Sequence, residues 1–260
     1  LHIPVPSTSA ADPVSKQIGL LMNHGIAPNG GGTKVNQWTM VMDVLWGDQS
    51  GAGAFGALFR TTNLGTPGDA DMFWNGSTLS YGKSCCSAYA GVDPAHNHPR
   101  NQWARIVFAV DLAATPRVVG KYINGFKHST TVTGNGDALD SRFSLPAVFT
   151  LFEDSDDNER TESFVNAIQI REGRMSDEEI LALGGPDANG IPLPYSQWEF
   201  DDTAAPLAAK VGNDLHYLDN SVSNLYELGI TGQGNFATVP NINGTPVRAL
   251  HIPYTGGTDA

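Results

Sequence analysis

Between residues 153 and 159 the chain reads Glu153-Asp154-Ser155-Asp156-Asp157-Asn158-Glu159. Asp154, Asp156, Asp157, Asn158 and Glu159 offer many oxygen donors in one short run, and Ca2+ takes about six to eight oxygens. The glycine-centred spacing of an EF-hand is missing, so the run reads either as a calcium loop or as an acidic solvated turn. His96 and His98 lie in Asp93-Pro-Ala-His96-Asn-His98-Pro99. In an extended segment their side chains share a face and can ligate a transition metal. No third ligand is evident in the nearby sequence, and the competing reading is a polar loop flanked by prolines. Cys85 and Cys86 are adjacent and are the only cysteines. Two thiols cannot complete a four-ligand zinc site. They form either a strained ring disulfide, which needs an oxidising compartment, or two free thiols. A ring disulfide would present a rigid apolar patch suited to binding.

Hydrolytic chemistry is poorly served. Retaining glycoside hydrolysis needs two carboxylates ~5–5.5 Å apart across the scissile bond. On a strand this reads Glu-x-Asp-x-Glu or Glu-x-Asp-x-x-Glu, and neither occurs. No Gly-x-Ser-x-Gly elbow announces a nucleophilic serine. Asp69 and Asp71 form a further, poorer acidic pair. Sugar recognition relies on aromatic faces beside amide, carboxylate and guanidinium groups. Trp74, Tyr81 and Tyr89 sit in Gly/Ser-rich segments and are candidate stacking residues. Trp38, Trp46, Trp103 and Trp198 fall on alternating segments, where core packing is the default.

Composition narrows the field further. The 260 residues carry 15 basic and 27 acidic side chains, a net charge of −12. Neutralising phosphates needs clustered Lys and Arg, so a nucleic-acid partner is not expected. No apolar run reaches the ~20 residues of a membrane span, so membrane insertion is not expected either. Leu1 opens on no leader pattern, which suits a mature chain, a fragment or a chain without its leader. Only 16% of residues are charged, against ~25% in an average domain, and there are 29 Gly and 16 Pro. Turn-rich β architecture has this composition.

The elements that must carry these residues are mostly strands. Trp38, Met40, Met42, Val44 and Trp46 alternate with their neighbours at period two, as do Ala104, Ile106, Phe108 and Val110. Residues 117–123 and 126–132 flank Asn124-Gly125, the signature of a type I′ hairpin. Further strands are expected at 54–61, 71–74, 146–152 and 164–171, with an apolar strand around 215–218. One short helix is expected after Ser176. Glu179 completes a capping box with Ser176, Ile180, Leu181 and Leu183 give an apolar face, and Gly184-Gly185 ends the helix. The fold class expected is all-β, a two-sheet antiparallel jelly-roll sandwich with this one short helix.

Leu1-His2-Ile3-Pro4 recurs as Leu250-His251-Ile252-Pro253, an offset of 249 residues. This reads as one period of a tandem array plus a short overlap. Residues 1–183 would form a main body, 184–194 a Gly/Pro-rich linker, and 195–260 the opening strands of a domain. Those strands would belong to the next repeat, or would complete the same fold by permutation or strand exchange.

Three segments, in order, resemble the laminin-G-like (LamG) branch of the concanavalin A-like jelly rolls. They are Asn101-Gln102-Trp103 running on to Asp111, then Lys121-Tyr122-Ile123-Asn124-Gly125, then Phe164 to Ile170 followed by Met175-Ser176-Asp177-Glu178-Glu179-Ile180. Trp198-Glu-Phe-Asp201-Asp202 is similar to the first strand of such domains. The resemblance implies two curved antiparallel sheets in an extracellular or cell-surface protein. It also implies binding of polysaccharide or glycoprotein glycans, or adhesion, without catalysis, and often a structural Ca2+. Asp201 and Asp202 stand where relatives often place a calcium ligand, whereas Asn166 stands where many have Asp. The alternatives are a structural subunit of a filament or surface layer, in which 195–260 complete a neighbouring copy of the chain, and a glycoside hydrolase or polysaccharide lyase.

Overall fold

A computed structural model describes residues 19–47, 55–61, 71–75, 78–81, 101–131, 138–152, 163–192, 196–200, 204–205, 207–210, 213–217, 236–242 and 244–252. The strands are β1 (Leu20–Asn23), β2 (Gln37–Trp46), β3 (Phe55–Arg60), β4 (Met72–Asn75), β5 (Thr78–Tyr81), β6 (Trp103–Asp111), β7 (Val118–Ile123), β8 (Phe126–Thr131), β9 (Val148–Leu151) and β10 (Ser163–Glu172). The helix α1 (Asp177–Leu183) follows, then β11 (Ser196–Glu199), β12 (His216–Tyr217), β13 (Phe236–Ile242) and β14 (Thr245–Ile252). The larger sheet has the order β13-β14-β10-β2-β6-β7-β8, with β11 also on β10, and the smaller has β12-β1-β9-β3-β4-β5. Every strand pair is antiparallel. The fold is therefore an all-β, two-sheet antiparallel sandwich with one short helix.

The period-two alternation sorts β2 onto two faces. Trp38, Met40, Met42, Val44 and Trp46 enter the core between the sheets, with Ile106, Phe108 and Val110 of β6 and Ile168 and Ile170 of β10. Phe59 of the smaller sheet meets the rings of Trp38 and Phe108 at centroid separations of 5.7 and 5.1 Å. These edge-on contacts tie the two layers together. Trp38 Nε1 donates to the Phe143 carbonyl at 2.7 Å, so its one polar atom is satisfied. Trp198, Phe200 and Leu215 enter the same core from the C-terminal segment. Trp38, Trp46 and Trp198 are fully buried, as core residues should be. Trp103 is half-buried instead and packs beside Ile242, Val247 and Ala249, because it falls on the outward phase of β6.

The outward face of the larger sheet is buried as well. Val41, Val107, Ala109, Tyr122 and Ala167 lie beneath Met175, Ile180 and Ile191. The covering layer is α1 and the chain that follows it. Ser176 caps α1 by accepting from Glu179 N, while Glu179 Oε2 accepts from Ser176 N at 2.7 Å. Gly184 ends the helix with φ +60. The hairpin turn at Asn124-Gly125 takes the two positive φ values of a type I′ turn, 52° and 84°. A Cβ on Gly125 would sit 3.1 Å from the Leu181 carbonyl, so the turn needs glycine for its conformation and for its approach to α1.

One ion pair fastens this layer. Arg105 Nε and Nη2 donate to the two oxygens of Asp43 at 2.7 and 2.8 Å. Nη1 and Nη2 also donate to the carbonyls of Leu183 and Gly190 at 2.7 and 3.2 Å. Gln169 Nε2 and Arg171 Nη2 both donate to the Pro192 carbonyl, at 2.7 and 2.9 Å, and Asn166 Nδ2 donates to Asp187 O. Burial pushes the Asp43 carboxyl up, and the guanidinium hydrogen bonds oppose that shift. Arg105→Ala leaves Asp43 charged and uncompensated under the covering layer. We expect a loss of about 3–5 kcal/mol, read as a fall in Tm on the order of 10 °C. An unchanged melt would remove the clamp from the account.

Candidate functional site

The two ends of the sandwich differ in construction. At one end, β2 finishes at Trp46 opposite Ser163, the first residue of β10. Trp103, the first residue of β6, stands opposite Leu45. Ile252, the last residue of β14, stands opposite Ser163 on the other side. In the smaller sheet β9 finishes at Leu151 opposite Leu20, the first residue of β1. Asn75 closes β4 opposite Phe55 and Thr78, the first residues of β3 and β5. Two of the connections that cross between the sheets, 47–54 and 152–162, leave from this end.

The strand order thus brings together strand ends that lie far apart in sequence. The acidic run containing Asp154, Asp156, Asp157, Asn158 and Glu159 joins β9 to β10. The segment with Cys85, Cys86, Tyr89, His96 and His98 runs into β6 at Trp103. Trp74 is the next-to-last residue of β4, in register with Leu79. Tyr81 closes β5 at the far end of that hairpin, opposite Met72. Asp201 and Asp202 follow β11, which pairs with β10 only as far as the Glu199–Ala167 match, about half-way along it. The acidic, cysteine and histidine candidates, with Tyr89, Asp201 and Asp202, lie outside the described residues. So do the side chains of Trp74 and Tyr81.

Asp71 takes a different role from that of a metal ligand. Its carboxylate accepts from Thr61 Oγ1 at 2.5 Å, from Thr61 N and from Arg142 Nε. It is fully buried, and its oxygens are engaged within the protein. Asn166 is likewise engaged with the chain after α1. Among the described residues, no group of three or more His, Cys, Asp or Glu side chains could hold a metal ion.

The opposite end is pinned by a polar network the sequence reading missed. Asp140 accepts from Thr33 N and Oγ1 at 2.7 and 2.8 Å, from Lys34 N at 2.8 Å and from Asn36 Nδ2 at 3.0 Å. Asn36 Oδ1 accepts from Asp140 N and Ser144 Oγ. The Thr33 amide, with Asn36 and Lys34, holds the Asp140 carboxyl well below the usual carboxylate range. Beside α1, Asp177 accepts from Lys127 Nζ at 2.7 Å, Tyr122 OH at 2.6 Å and Arg174 Nη2 at 2.9 Å. These bonds, that of Lys127 first, hold its carboxyl down to about 2. Lys121 points between the sheets, where Nζ donates to the Leu79 carbonyl, and burial lowers its pKa to about 8. The one sequence signal for it was a lysine at an inward-phase position, between Val119 and Ile123.

No family model matches the sequence, and no curated protein matches it. Among solved structures, the chain is similar to a heptameric SAP-like pentraxin from Limulus polyphemus. The TM-score is 0.49 and the identity 13%, over 73% of this chain and 82% of that one. It is also similar to domain 4 of AbnA, a GH43 extracellular arabinanase from Geobacillus stearothermophilus, seen in complex with arabinotriose. There the TM-score is 0.40 and the identity 19%, over 60% of this chain and 70% of that one. A Trypanosoma rangeli sialidase in complex with sialic acid matches with a TM-score of 0.40 and 13% identity, over 56% of this chain and 22% of that one. Among the described residues no helix is long and apolar enough to cross a membrane.

His24 makes the pinned end sensitive to acid. Ile26 N donates to Nδ1 at 3.0 Å, so Nδ1 carries no proton, and Nε2 donates to the Pro146 carbonyl at 2.8 Å. Burial lowers the pKa of this imidazole. The unfolded chain therefore takes up a proton near pH 6.5 that the folded protein resists. Stability from this group is full above that pH and is lost as the pH falls below it. Urea midpoints measured from pH 7.5 to 5 should fall in the native chain and fall less steeply in His24→Gln. Equal slopes would exclude His24.

Proposed function

We propose that the chain is a non-catalytic LamG-like module that acts outside the cell in glycan binding or adhesion, as one period of a tandem array. The observation that carries this reading is the placement of the four segments on which the resemblance rests. They fall in β6, in the β7–β8 hairpin, in β10 with α1, and in β11. All lie side by side in the sheet order β11-β10-β2-β6-β7-β8, with α1 over the outer face. The segment resembling a first strand stands directly beside the one resembling a last strand, Trp198 opposite Ile168.

The loop-bearing end is where ligands would be met. It joins the acidic run, the approach of the histidine segment to β6 and the Trp74 end of β4. An aromatic face for sugar stacking and carboxylates for hydrogen bonds or Ca2+ are the chemistry that neutral polysaccharides and glycoprotein glycans require. Ca2+ on Asp154, Asp156, Asp157, Asn158 and Glu159 would fasten the β9–β10 crossover.

A glycan array probed with the intact chain in millimolar CaCl2 tests this reading. Binding to a defined set of glycans is expected. No binding across the array would overturn it, and release of reducing ends from a bound polysaccharide would favour a hydrolase. For the metal, EDTA should lower the melting temperature measurably, and calcium should restore it. A melt indifferent to both removes calcium from the account.

A further inference from the structure

The repeated tetrapeptide acquires a location in the fold. Leu250, His251 and Ile252 of β14 pair with Val165, Phe164 and Ser163 of β10. The first three residues of the chain are the same Leu-His-Ile. A strand added to a sheet is recognised through main-chain hydrogen bonds and its alternating side chains, so identical tripeptides fit one station equally.

The station is also within reach of the first copy. Leu20 opens β1 beside Leu151, the last residue of β9, and Ile252 closes β14 beside Ser163, the first residue of β10. The 11 residues 152–162 already bridge from Leu151 to Ser163. The gap from an Ile in the β14 station to Leu20 is this same gap moved by one strand in each sheet. Residues 4–19 supply 16 residues to cross it. Extended, they reach on the order of 50 Å, against a sheet separation of ~10 Å and a strand spacing of ~4.8 Å.

We propose that, where copies of this chain are joined head to tail, each sandwich takes its β11–β14 from the copy before it. Leu1-His2-Ile3 is then the end of the preceding copy's β14, seated on β10 at Ser163–Val165, and residues 4–19 lead from it into β1. The partner for this surface is a second copy of the chain, and its contacts are those that β11, β12 and β14 make here with β10 and β1. Neighbouring sandwiches become linked through the 184–195 segment, whose first part stays clamped to its own sheet by Arg105, Gln169 and Arg171. The contact is heterologous, so it propagates along the array instead of closing into a dimer.

This inference rests on the tandem reading, which the mass of the native polypeptide tests separately. The exchange itself is tested in a two-period chain, residues 1–249 followed by 1–260, with Cys85→Ser and Cys86→Ser in both periods. Its junction Leu-His-Ile-Pro is at once 250–253 of the first period and 1–4 of the second. One cysteine replaces the junction isoleucine (Ile3→Cys of the second period). Ser163→Cys is placed in the first period in one version and in the second period in another. After refolding and mild oxidation, the disulfide should form with the second period's position 163, seen by peptide mapping and by faster migration without reductant. A link to the first period would mean each copy closes with its own tail and would overturn the proposal. A link to neither, in chains whose melt matches the unsubstituted two-period chain, would overturn it too. His2→Cys with Phe164→Cys, the next matched pair, gives the same readout where the first pair fails to fold.

Discussion

A guanidinium held against a carboxylate on the outer face of the larger sheet sets the terms for this fold. Arg105 and Asp43 are neighbours across β6 and β2, and both lie on the outward phase of the alternation. Left in solvent, such a pair would contribute little. Here α1 and residues 184–192 cover it, and removing either partner would strand a buried charge. The guanidinium also carries the Leu183 and Gly190 carbonyls, so the groups at the helix C-terminus and in the chain beyond it are satisfied by the same residue. Covering the sheet, ending the helix and aiming the chain toward β11 are thus one arrangement. Trp198 enters the core from β11, the strand seated beside β10.

The ends of the sandwich divide two kinds of work. At the Gln37 end, carboxylates and amides are spent on the protein's own backbone. Asp140 and Asn36 hold the 29–37 loop, Asp71 holds Thr61 and Arg142, and His24 ties residue 26 to residue 146. A polar side chain with every lone pair engaged has nothing left for a ligand. The other end carries the β2–β3 and β9–β10 connections and the entry to β6. Loops on a rigid scaffold are where binding groups are commonly placed. The fold therefore directs a search for ligands to the Trp46 end.

The sequence exposed the strands whose two faces differ and concealed those whose signal lies elsewhere. β2, β6, the β7–β8 hairpin, β10 and α1 were legible because alternation, Asn-Gly and a capping box are local chemistry. β1, with four residues, carries too little pattern to stand out, and tertiary pairing alone defines it, whereas the two-residue β12 falls within the strand expected around 215–218. Asp43, Arg105 and Lys121 escaped notice as a group because each is a single charge at an alternating position. Its partner lies on a strand 62 residues away in one case and at a backbone carbonyl 42 residues away in the other. Asp71 was read as half of an acidic pair because spacing along a chain does not reveal that an arginine 71 residues later will occupy it. Of the candidate site, the residue types were legible, and which strand ends adjoin was not. That adjacency follows from strand order, which no local pattern encodes.

Strand order also separates the sequence of the chain from the sequence of the fold. β10 is flanked on one side by β2 along its whole length. On the other side β11 covers residues 167–170 and β14 covers 163–165. The two meet beside Asn166, where the pairing with β2 also shifts register. A long central strand completed by two collinear short ones needs both from the same C-terminal segment, and the core needs Trp198 and Phe200 from it as well. The dependence is on the presence of that segment and not on the direction from which it is tethered. The clamp at Arg105 fixes residues 183–190, and the strands beyond 195 are joined to the rest by pairing with β10 and β1 and by core packing. Those contacts would be the same if the strands arrived from a neighbouring copy. On the proposed exchange, such a domain would serve as a link while keeping the same strand pairing.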